Sequence, residues 1–278
     1  MTQRERESLL RHAYNIRRAI IEMTTEAGSG HVGGSLSVTD IITILFFKIL
    51  KYRPSEPEWK ERDRFILSAG HLCPALYCAL KVAGFLKENE LSTFRQINSR
   101  LQGHPSLTDL PIVETSSGSL GQGLSVALGK ALSLKLNNIK SNVYCLMSDG
   151  EQEEGSTWEA AMAASHYRAD NLIGIIDRNK CQIDGSTENV IGLAPLGKKY
   201  RAFGWQVLEA DGHDFVDLNK VLTEAVHGQG QPTIIIAHTT MGKGIPSIEN
   251  NCSWHGKVFP PSKTDSAKEE IEKSFSEK

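Results

Sequence analysis

The stretch of residues 142–185 limits the possible folds more than any other part of the chain. It contains two short apolar runs, residues 143–147 and 172–176, separated by a segment of helical character at 156–167. Apolar runs of this length with polar residues on either side suit buried strands better than helices. A strand, a helix and a second strand over this length are typical of a parallel βαβ unit. The stretch therefore predicts a parallel sheet.

Polar side chains follow both predicted strands. Asp149 and Gly150 come after the first run, and Asn179 follows the second. Since 179 − 149 = 30 residues is about the length of one βαβ unit, we expect the two strands to be neighbours. Carboxylate and amide oxygens are hard ligands suited to Mg²⁺, and open α/β sheets bind ligands at the carboxyl ends of their strands. We predict a metal site here, although the same residue types also occur in ordinary turns.

The rest of the chain continues the alternation of strands and helices. Apolar runs typical of strands occupy residues 64–67, 205–209 and 233–238, and helical patterns occupy residues 5–27, 39–50, 74–82, 124–136 and 216–226. Residues 37–40 resemble a capping box at the start of the second helix. This order predicts an α/β fold, a parallel sheet with helices on both faces. We expect residues 1–260 to form one domain and the polar residues 261–278 to be a tail or linker with a weak helix at 269–275.

Composition excludes several classes of function. The formal net charge is −2 and no basic run alternates with aromatic residues, so nucleic acid is not an expected partner. Residues 1–7 are charged, and the longest apolar run among the first fifty residues, 41–47, is too short to span a bilayer. The five cysteines contain no Cys-x-x-Cys pair. We therefore expect a soluble cytoplasmic protein that uses neither a membrane, nor disulfides, nor zinc.

Histidines occur repeatedly beside glycines. Those that directly follow a glycine are His31, His71, His104 and His213, and His255 directly precedes one. A histidine on such a loop is well placed to hydrogen-bond a phosphate or a sugar hydroxyl. Any one of them alone is better explained as a solvated loop residue, so the prediction depends on the joint pattern.

Two rival phosphate-binding motifs are incomplete. Residues 121–123 form only part of a dinucleotide fingerprint, because the third glycine and the preceding strand are missing. Residues 242–244 lack the hydroxyl residue that follows the lysine of a Walker loop.

Several motifs in order resemble the transketolase family. The residues that resemble its thiamine diphosphate motif are Ser148-Asp149-Gly150, Glu154-Gly155, Asn179-Lys180 and Ile183-Asp184-Gly185. The family's other motifs resemble Gly30-His31, Gly70-His71, Gly103-His104, residues 118–123 and His255-Gly256. The resemblance covers residues 10–260 and implies the diphosphate-binding domain of the thiamine-diphosphate-binding fold. The family usually has Gly at Ser148 and often Asp or Asn at Arg178, and we expect neither difference to remove a metal ligand.

The resemblance also implies roles for the histidines. His71 and His255 would contact the cofactor diphosphate. His31 and His104 would face the sugar oxygens and act, together with His255, as the catalytic residues.

Further cofactor contacts are implied around the sheet. Gly118, Ser119 and Leu120 would lie against the aminopyrimidine ring, with Gly150 near the diphosphate. A metal, Mg²⁺ or else Ca²⁺ or Mn²⁺, would be bound by Asp149, Asn179 and the backbone carbonyl of Cys181.

Three charged residues complete the implied site. Glu154 and Glu159 resemble acidic residues at the cofactor-proximal dimer interface, although a capping box with Ser156 would by itself explain Glu159. Lys243 matches a basic residue near the family's site, and a surface lysine is an equal alternative.

Half of the family's active site is not found in this sequence. The glutamate that hydrogen-bonds the pyrimidine belongs to a second domain in the family, and the sequence ends where the linker to it would begin. We therefore predict the N-terminal subunit of a split transketolase, which transfers a two-carbon ketol unit between sugar phosphates of the pentose phosphate pathway. A separate chain would supply the pyrimidine-binding domain and its Glu in a heterotetramer. A deoxyxylulose-phosphate synthase-like enzyme, a specialised sugar transketolase and a non-catalytic partner remain alternatives.

Overall fold

A parallel sheet forms the centre of the molecule in the computed structural model, which describes residues 1–87 and 89–277; Lys278, the last residue of the predicted tail, lies outside them. The strands are β1 (Arg64–Leu67), β2 (Val143–Ser148), β3 (Leu172–Arg178), β4 (Cys181–Gln182), β5 (Gly185–Ser186), β6 (Gln206–Asp211) and β7 (Thr233–His238). Five of them form a sheet in the order β1-β2-β3-β7-β6 with every pairing parallel, and β4 and β5 form a small antiparallel hairpin. The predicted α/β class is confirmed.

Helices cover both faces of the sheet. They are α1 (Gln3–Ala27), α2 (Val32–Ser37), α3 (Thr39–Ile44), α4 (Cys73–Val82), α5 (Gly123–Leu136), α6 (Gly155–His166), α7 (Thr187–Val190), α8 (Leu196–Ala202), α9 (Phe215–Ala225) and α10 (Thr264–Ser276). Successive strand residues point to opposite faces. Tyr144 and Leu146 of β2 therefore pack with α1, α3, α4 and α9, whereas Val143, Cys145 and Met147 pack with α5, α6 and α8. Within the described chain, no helix is long and apolar enough to cross a membrane.

The register of the central strands sets the position of the predicted metal ligands. Strands β2 and β3 are adjacent, and Ser148 lies opposite Asp177. Asp149 and Asn179 therefore emerge at the same edge of the sheet. The prediction that one βαβ unit brings these two strand ends together is confirmed.

The segment that follows α1, residues 28–40, differs from the prediction in two ways. Gly28 ends α1 in a left-handed conformation with φ 60°, as expected for a helix C-terminus, but α2 already begins at Val32. The predicted capping box at residues 37–40 is wrong, because no side chain caps α3. The hydroxyl of Ser37 instead donates to Oδ1 of Asp177 at 2.7 Å. A buried carboxylate needs hydrogen-bond donors, and that need outweighs a local cap.

The polar C-terminal segment is helical over a longer stretch than residues 269–275. Helix α10 packs against α1, and its residues Ala267 and Ile271 are buried in the same core as α1. The rings of Tyr14 and Phe275 lie 4.7 Å apart between their centroids. The division of the chain at residue 260 stays a prediction.

Candidate functional site

A cavity of about 230 Å³ lies where the carboxyl ends of β1, β2 and β3 meet. This is the edge at which parallel α/β sheets bind ligands. Nine of the twelve predicted site residues line it: His31, His71, His104, Gly118, Leu120, Gly150, Asn179, Cys181 and His255. The fold thus brings these residues together, and their individual roles stay predictions.

The other three predicted residues lie outside the cavity lining. Asp149 is fully buried between the ends of β2 and β3. Ser119 and Glu154 are exposed. The capping box proposed for Glu159 is absent, because Glu154 is the N-cap of α6 and makes no side-chain cap. The hydroxyl of Ser156 instead donates to the carbonyl of Gly121 at 3.1 Å.

Four histidines from separate loops converge at the cavity. The centroid of the His31 ring lies 5.1 Å from that of His71, 6.4 Å from that of His104 and 5.8 Å from that of His255. The His71 and His255 rings are 5.1 Å apart. The glycines beside these residues predicted the group, but only the folded chain sets these distances.

His213, the fifth histidine of the pattern, lies elsewhere. Its Nε2 accepts a hydrogen bond from the backbone N–H of Thr240 at 2.8 Å, so its Nδ1 carries the proton and donates to Asp40 at 2.8 Å. The expected ligand role does not fit this arrangement. Lys243 also lies outside the cavity, with its Nζ 3.4 Å from Oε1 of Glu249.

The clustered histidines are held in their neutral form. Burial is the main cause that lowers the pKa of all four, and it lowers that of His31 to about 4 with help from His255 and Arg95. Within the described residues, no partner hydrogen-bonds the buried Nδ1 of His31, Nε2 of His71 or Nδ1 of His255. Because buried polar atoms in proteins normally have a partner, these nitrogens indicate that a polar ligand binds here.

The low pKa of His31 predicts a pH-dependent loss of stability. Its pKa falls from 6.5 to about 4 on folding, so the unfolded chain binds more protons between these values and acid favours unfolding. Relative to a His31→Gln variant, the wild type should lose at most about 1.4 kcal/mol of unfolding free energy per pH unit as the pH falls from 6.5 toward 4. The loss is smaller to the extent that solvent screens the ring. Urea unfolding of both proteins from pH 7.5 to 4.5 measures this difference, and parallel curves would contradict it.

Asp149 is surrounded by hydrogen-bond donors. Its Oδ1 accepts from the N–H of Gly150 at 2.9 Å, and its Oδ2 accepts from the N–H of Lys180 at 2.6 Å. The Nη1 of Arg178 also donates to Oδ2 at 3.0 Å, and the other end of the same guanidinium contacts Glu188. Arg178 thus does more than the family resemblance implied, because its charge directly contacts a predicted metal ligand.

Asp177 fixes the second predicted ligand and was missed in the sequence. Its Oδ2 accepts from Nδ2 of Asn179 at 2.7 Å, which turns Oδ1 of Asn179 away from Asp177, toward the N–H of Cys181 at 2.9 Å. Asp177 also receives hydrogen bonds from Ser37 and Thr239. Its position two residues before Asn179 in the motif was the signal that could have found it.

The donor set fits a divalent cation. Burial raises the pKa of Asp149 to about 6 and that of Asp177 to about 7. Among the described residues, Arg178 is the one cationic side chain that hydrogen-bonds either carboxylate. The Asp149 carboxylate, the Asn179 amide oxygen and the backbone carbonyl of Cys181 are hard oxygen donors of the kind that Mg²⁺ prefers.

A disulfide corrects the expectation for the cysteines. Cys181 is bonded to Cys252, with their Cα atoms 5.1 Å apart and a separation of 71 positions in sequence. The spacing of cysteines along the chain could not show this, because the folding of β4 against the 3₁₀ turn Cys252–Trp254 brings them together. The disulfide uses the sulfur of Cys181 and leaves its backbone carbonyl, the predicted metal ligand, unchanged. Cys73, Cys78 and Cys145 are buried free thiols.

Comparison with known sequences identifies relatives over nearly the whole chain. Residues 10–275 match the family model described as transketolase, thiamine diphosphate binding domain. One subunit of the apulose-4-phosphate transketolase of Phocaeicola vulgatus is 39% identical over 92% of this chain and 90% of its own length. The 6-deoxy-6-sulfo-D-fructose transketolase subunit SqwG of a Clostridium species is 38% identical over 97% of this chain and 98% of its own length.

Larger relatives contain this chain as one part. Human transketolase is 40% identical over 97% of this chain but over only 43% of its own length. The crystal structure of transketolase from Campylobacter jejuni superposes with a TM-score of 0.87 at 31% identity, and it covers 100% of this chain and 48% of its own. The chain therefore spans about half the length of the solved transketolases and nearly all of the subunit relatives.

Proposed function

This chain belongs to the transketolase family, in which it matches the thiamine diphosphate binding domain, and we propose that it is the N-terminal subunit of a two-chain transketolase. One observation carries the proposal. Four histidines face the Asp149–Asn179 edge of the sheet across one cavity, and three of them have a ring nitrogen that no described residue hydrogen-bonds. Neutral N–H donors opposite hard oxygen ligands suit a diphosphate bound through a divalent metal.

We assign the cofactor contacts to residues that line or underlie this cavity. Asp149, Asn179 and the carbonyl of Cys181 would hold the metal, Mg²⁺ in our proposal. His71 and His255 would donate to the diphosphate, with Gly150 beside it. The backbone of residues 118–120 would lie against the aminopyrimidine ring.

The proposed reaction is the transfer of a two-carbon ketol unit from a ketose phosphate to an aldose phosphate. Bound thiamine diphosphate supplies an electron sink for cleavage of the carbon–carbon bond beside the ketose carbonyl. His31 and His104 would hold the sugar hydroxyls and exchange protons with them, since neutral imidazoles can both donate and accept. The His31 ring is only partly exposed, which strengthens these hydrogen bonds.

We further propose that a separate chain completes the site. The relatives named as transketolase subunits, which match this chain over nearly their full length, support such a division. The partner would carry the pyrimidine-binding domain and its Glu, and the assembly would contain two copies of each chain. The exposed Glu154 would face this interface. We place the reaction in the cytoplasm and in the pentose phosphate pathway.

A specialised sugar transketolase is the second candidate. The two subunit relatives carry the names of different sugars, apulose 4-phosphate in one and 6-deoxy-6-sulfo-D-fructose in the other. Both relatives are about equally identical in sequence to this chain, so the donor sugar has to be identified by assay.

Reconstitution of the two chains tests the proposal. The chain is co-expressed with the product of a neighbouring open reading frame that resembles the missing domains, and ketol transfer is assayed with thiamine diphosphate, Mg²⁺ and a panel of ketose donors. We expect turnover from the mixture and essentially none from either chain alone. Full activity of this chain by itself would contradict the two-chain proposal. A mixture whose thermal midpoint does not rise with thiamine diphosphate and Mg²⁺ would contradict the cofactor assignment.

A further inference from the structure

Glu151 is a buried carboxylate to which the site described above gives no role. It is fully buried in the 3₁₀ turn Gly150–Glu153, directly after β2. No cationic side chain in the described part of the molecule hydrogen-bonds it; its donors are the hydroxyl of Ser68 and the backbone N–H groups of Gly121 and Ser148, the last two at 2.8 and 3.2 Å. Because burying a carboxylate is costly, these hydrogen bonds must hold it in place.

The carboxylate joins three segments of the chain. Ser68 follows β1, Ser148 ends β2, and Gly121 belongs to the segment before α5. The hydroxyl of Ser68 donates to Glu151 and accepts from the N–H of Gly123 at 3.1 Å, so it extends the contact along the same segment. Glu151 and Ser68 together therefore fix residues 121–123 against the sheet.

The fit around this segment is tight. Gly121 has φ +80°, and a Cβ at this position would lie 2.6 Å from Oγ of Ser156 and 2.7 Å from Cβ of Glu154. A Cβ on Gly123 would lie 2.2 Å from Oγ of Ser68. At Gly121 the backbone lies against Glu154 and Ser156 at the start of α6, and at Gly123 it lies against Ser68, in both cases too close for a side chain.

The segment that Glu151 fixes leads directly to the cavity. Gly118 and Leu120 line the cavity and come within three residues of Gly121. Residues 94–122, all of which the structure describes, contain no helix or strand. No strand ladder or helix holds Gly118 and Leu120, so their position depends on anchors such as the bond from Gly121 to Glu151.

We propose that Glu151 is a positioning residue, which fixes Gly121 and thereby holds the backbone of residues 118–120 in place for the cofactor without touching it. This inference rests on the proposed function. It predicts that cofactor affinity depends on a side chain that lies beneath the cavity lining and contacts no ligand.

A Glu151→Gln variant tests the anchor itself. The amide has the same shape. If its NH₂ group faces Gly121, that backbone bond is lost; if it faces Ser148, the Gly121 N–H keeps only a neutral acceptor, whose hydrogen bond is weaker than one to a carboxylate. In the isolated chain we expect the Gly121 amide to exchange with deuterium about tenfold faster or more. An unchanged exchange rate at Gly121 would overturn the proposal regardless of any cofactor.

Asp63→Asn provides the matched control. Asp63 is also buried, and it accepts the backbone N–H groups of Lys51 and Asn142 at 2.9 and 2.8 Å, at the opposite end of β1 and β2. The chemical change is the same, and both variants should lower the thermal midpoint. Only Glu151→Gln should speed exchange within residues 117–123.

Cofactor binding by the two-chain complex gives the second readout. For Glu151→Gln we expect the Kd of thiamine diphosphate with Mg²⁺ to rise about tenfold, with kcat at saturating cofactor within about twofold of wild type. For Asp63→Asn the Kd should stay within about twofold. Ser68→Ala keeps the carboxylate and should shift exchange and Kd in the same direction, which provides a test if Glu151→Gln does not fold.

The outcomes separate the two proposals. Wild-type affinity in a Glu151→Gln complex, or an equal loss in Asp63→Asn, would overturn the positioning role and leave the proposed function standing. A wild-type complex that binds no thiamine diphosphate would overturn the proposed function, and this inference with it.

Discussion

An Asp149→Asn variant should lose metal-dependent binding of thiamine diphosphate. Asp149 is the one carboxylate among the three proposed metal ligands, and removing its charge leaves the cation with neutral oxygens. Loss of a residue that merely supports a metal ligand typically costs 10–100-fold in affinity, so loss of the ligand itself should cost at least about 100-fold. Calorimetric titration of the two-chain complex with thiamine diphosphate, at several Mg²⁺ concentrations, measures the effect.

Two features make this experiment specific. Arg178 keeps its contacts with Glu188 and Thr187 in the variant, so the turn after β3 retains part of its support. Asp63→Asn again serves as a buried control at the opposite end of the sheet. Retention of Mg²⁺-dependent binding by Asp149→Asn would refute the assignment of the metal site.

An Asp40→Asn variant should lose about 3–5 kcal/mol of unfolding free energy, because it leaves the buried guanidinium of Arg17 without its counter-ion. Asp40 is 1% exposed and accepts from Nη1 and Nη2 of Arg17 at 2.9 and 2.7 Å and from His213 at 2.8 Å. Burial raises the pKa of Asp40, but Arg17 and His213 lower it by more, so it lies well below its ordinary range. Native proteins typically have unfolding free energies of about 5–15 kcal/mol, so this loss is a large fraction of the total. Urea denaturation at pH 7 measures it.

Asp265→Asn is the control for this measurement. The side chain of Asp265 is 90% exposed, and its ion pair with Lys268 lies on the surface of α10. Exposed pairs contribute about 0–1 kcal/mol, so this variant should unfold close to wild type. Similar losses of unfolding free energy in the two variants would show that the buried Arg17–Asp40 pair stabilises the fold no more than an exposed pair does.

Some parts of the site could be predicted because they depend on sequence patterns that span only a few residues. The runs at 143–147 and 172–176 are strands, and their spacing placed Asp149 and Asn179 at one edge. The glycines beside His31, His71, His104 and His255 marked loops that the fold gathers at the cavity.

Other parts of the site depend on contacts between distant residues, which no short sequence pattern predicts. The bond between Cys181 and Cys252 depends on two loops meeting across 71 residues. Glu151 is one of three glutamates within residues 151–154, and only the folded chain shows that it is buried and accepts a hydrogen bond from Gly121. Arg178 was expected only to leave the metal ligands in place, yet its side chain donates a hydrogen bond to one of them, Asp149.

The α/β class, the five strands of the parallel sheet and the family to which the chain belongs were predicted from the amino-acid sequence. These properties follow from apolar periodicity and from short motifs, which act over a few residues. Which polar groups face one another emerged only when the chain was folded: His213 turned to Asp40, Ser37 turned to Asp177, and Glu151 was buried beneath the cavity. A buried polar atom must find a partner wherever the packed chain provides one, and that partner is usually distant in sequence.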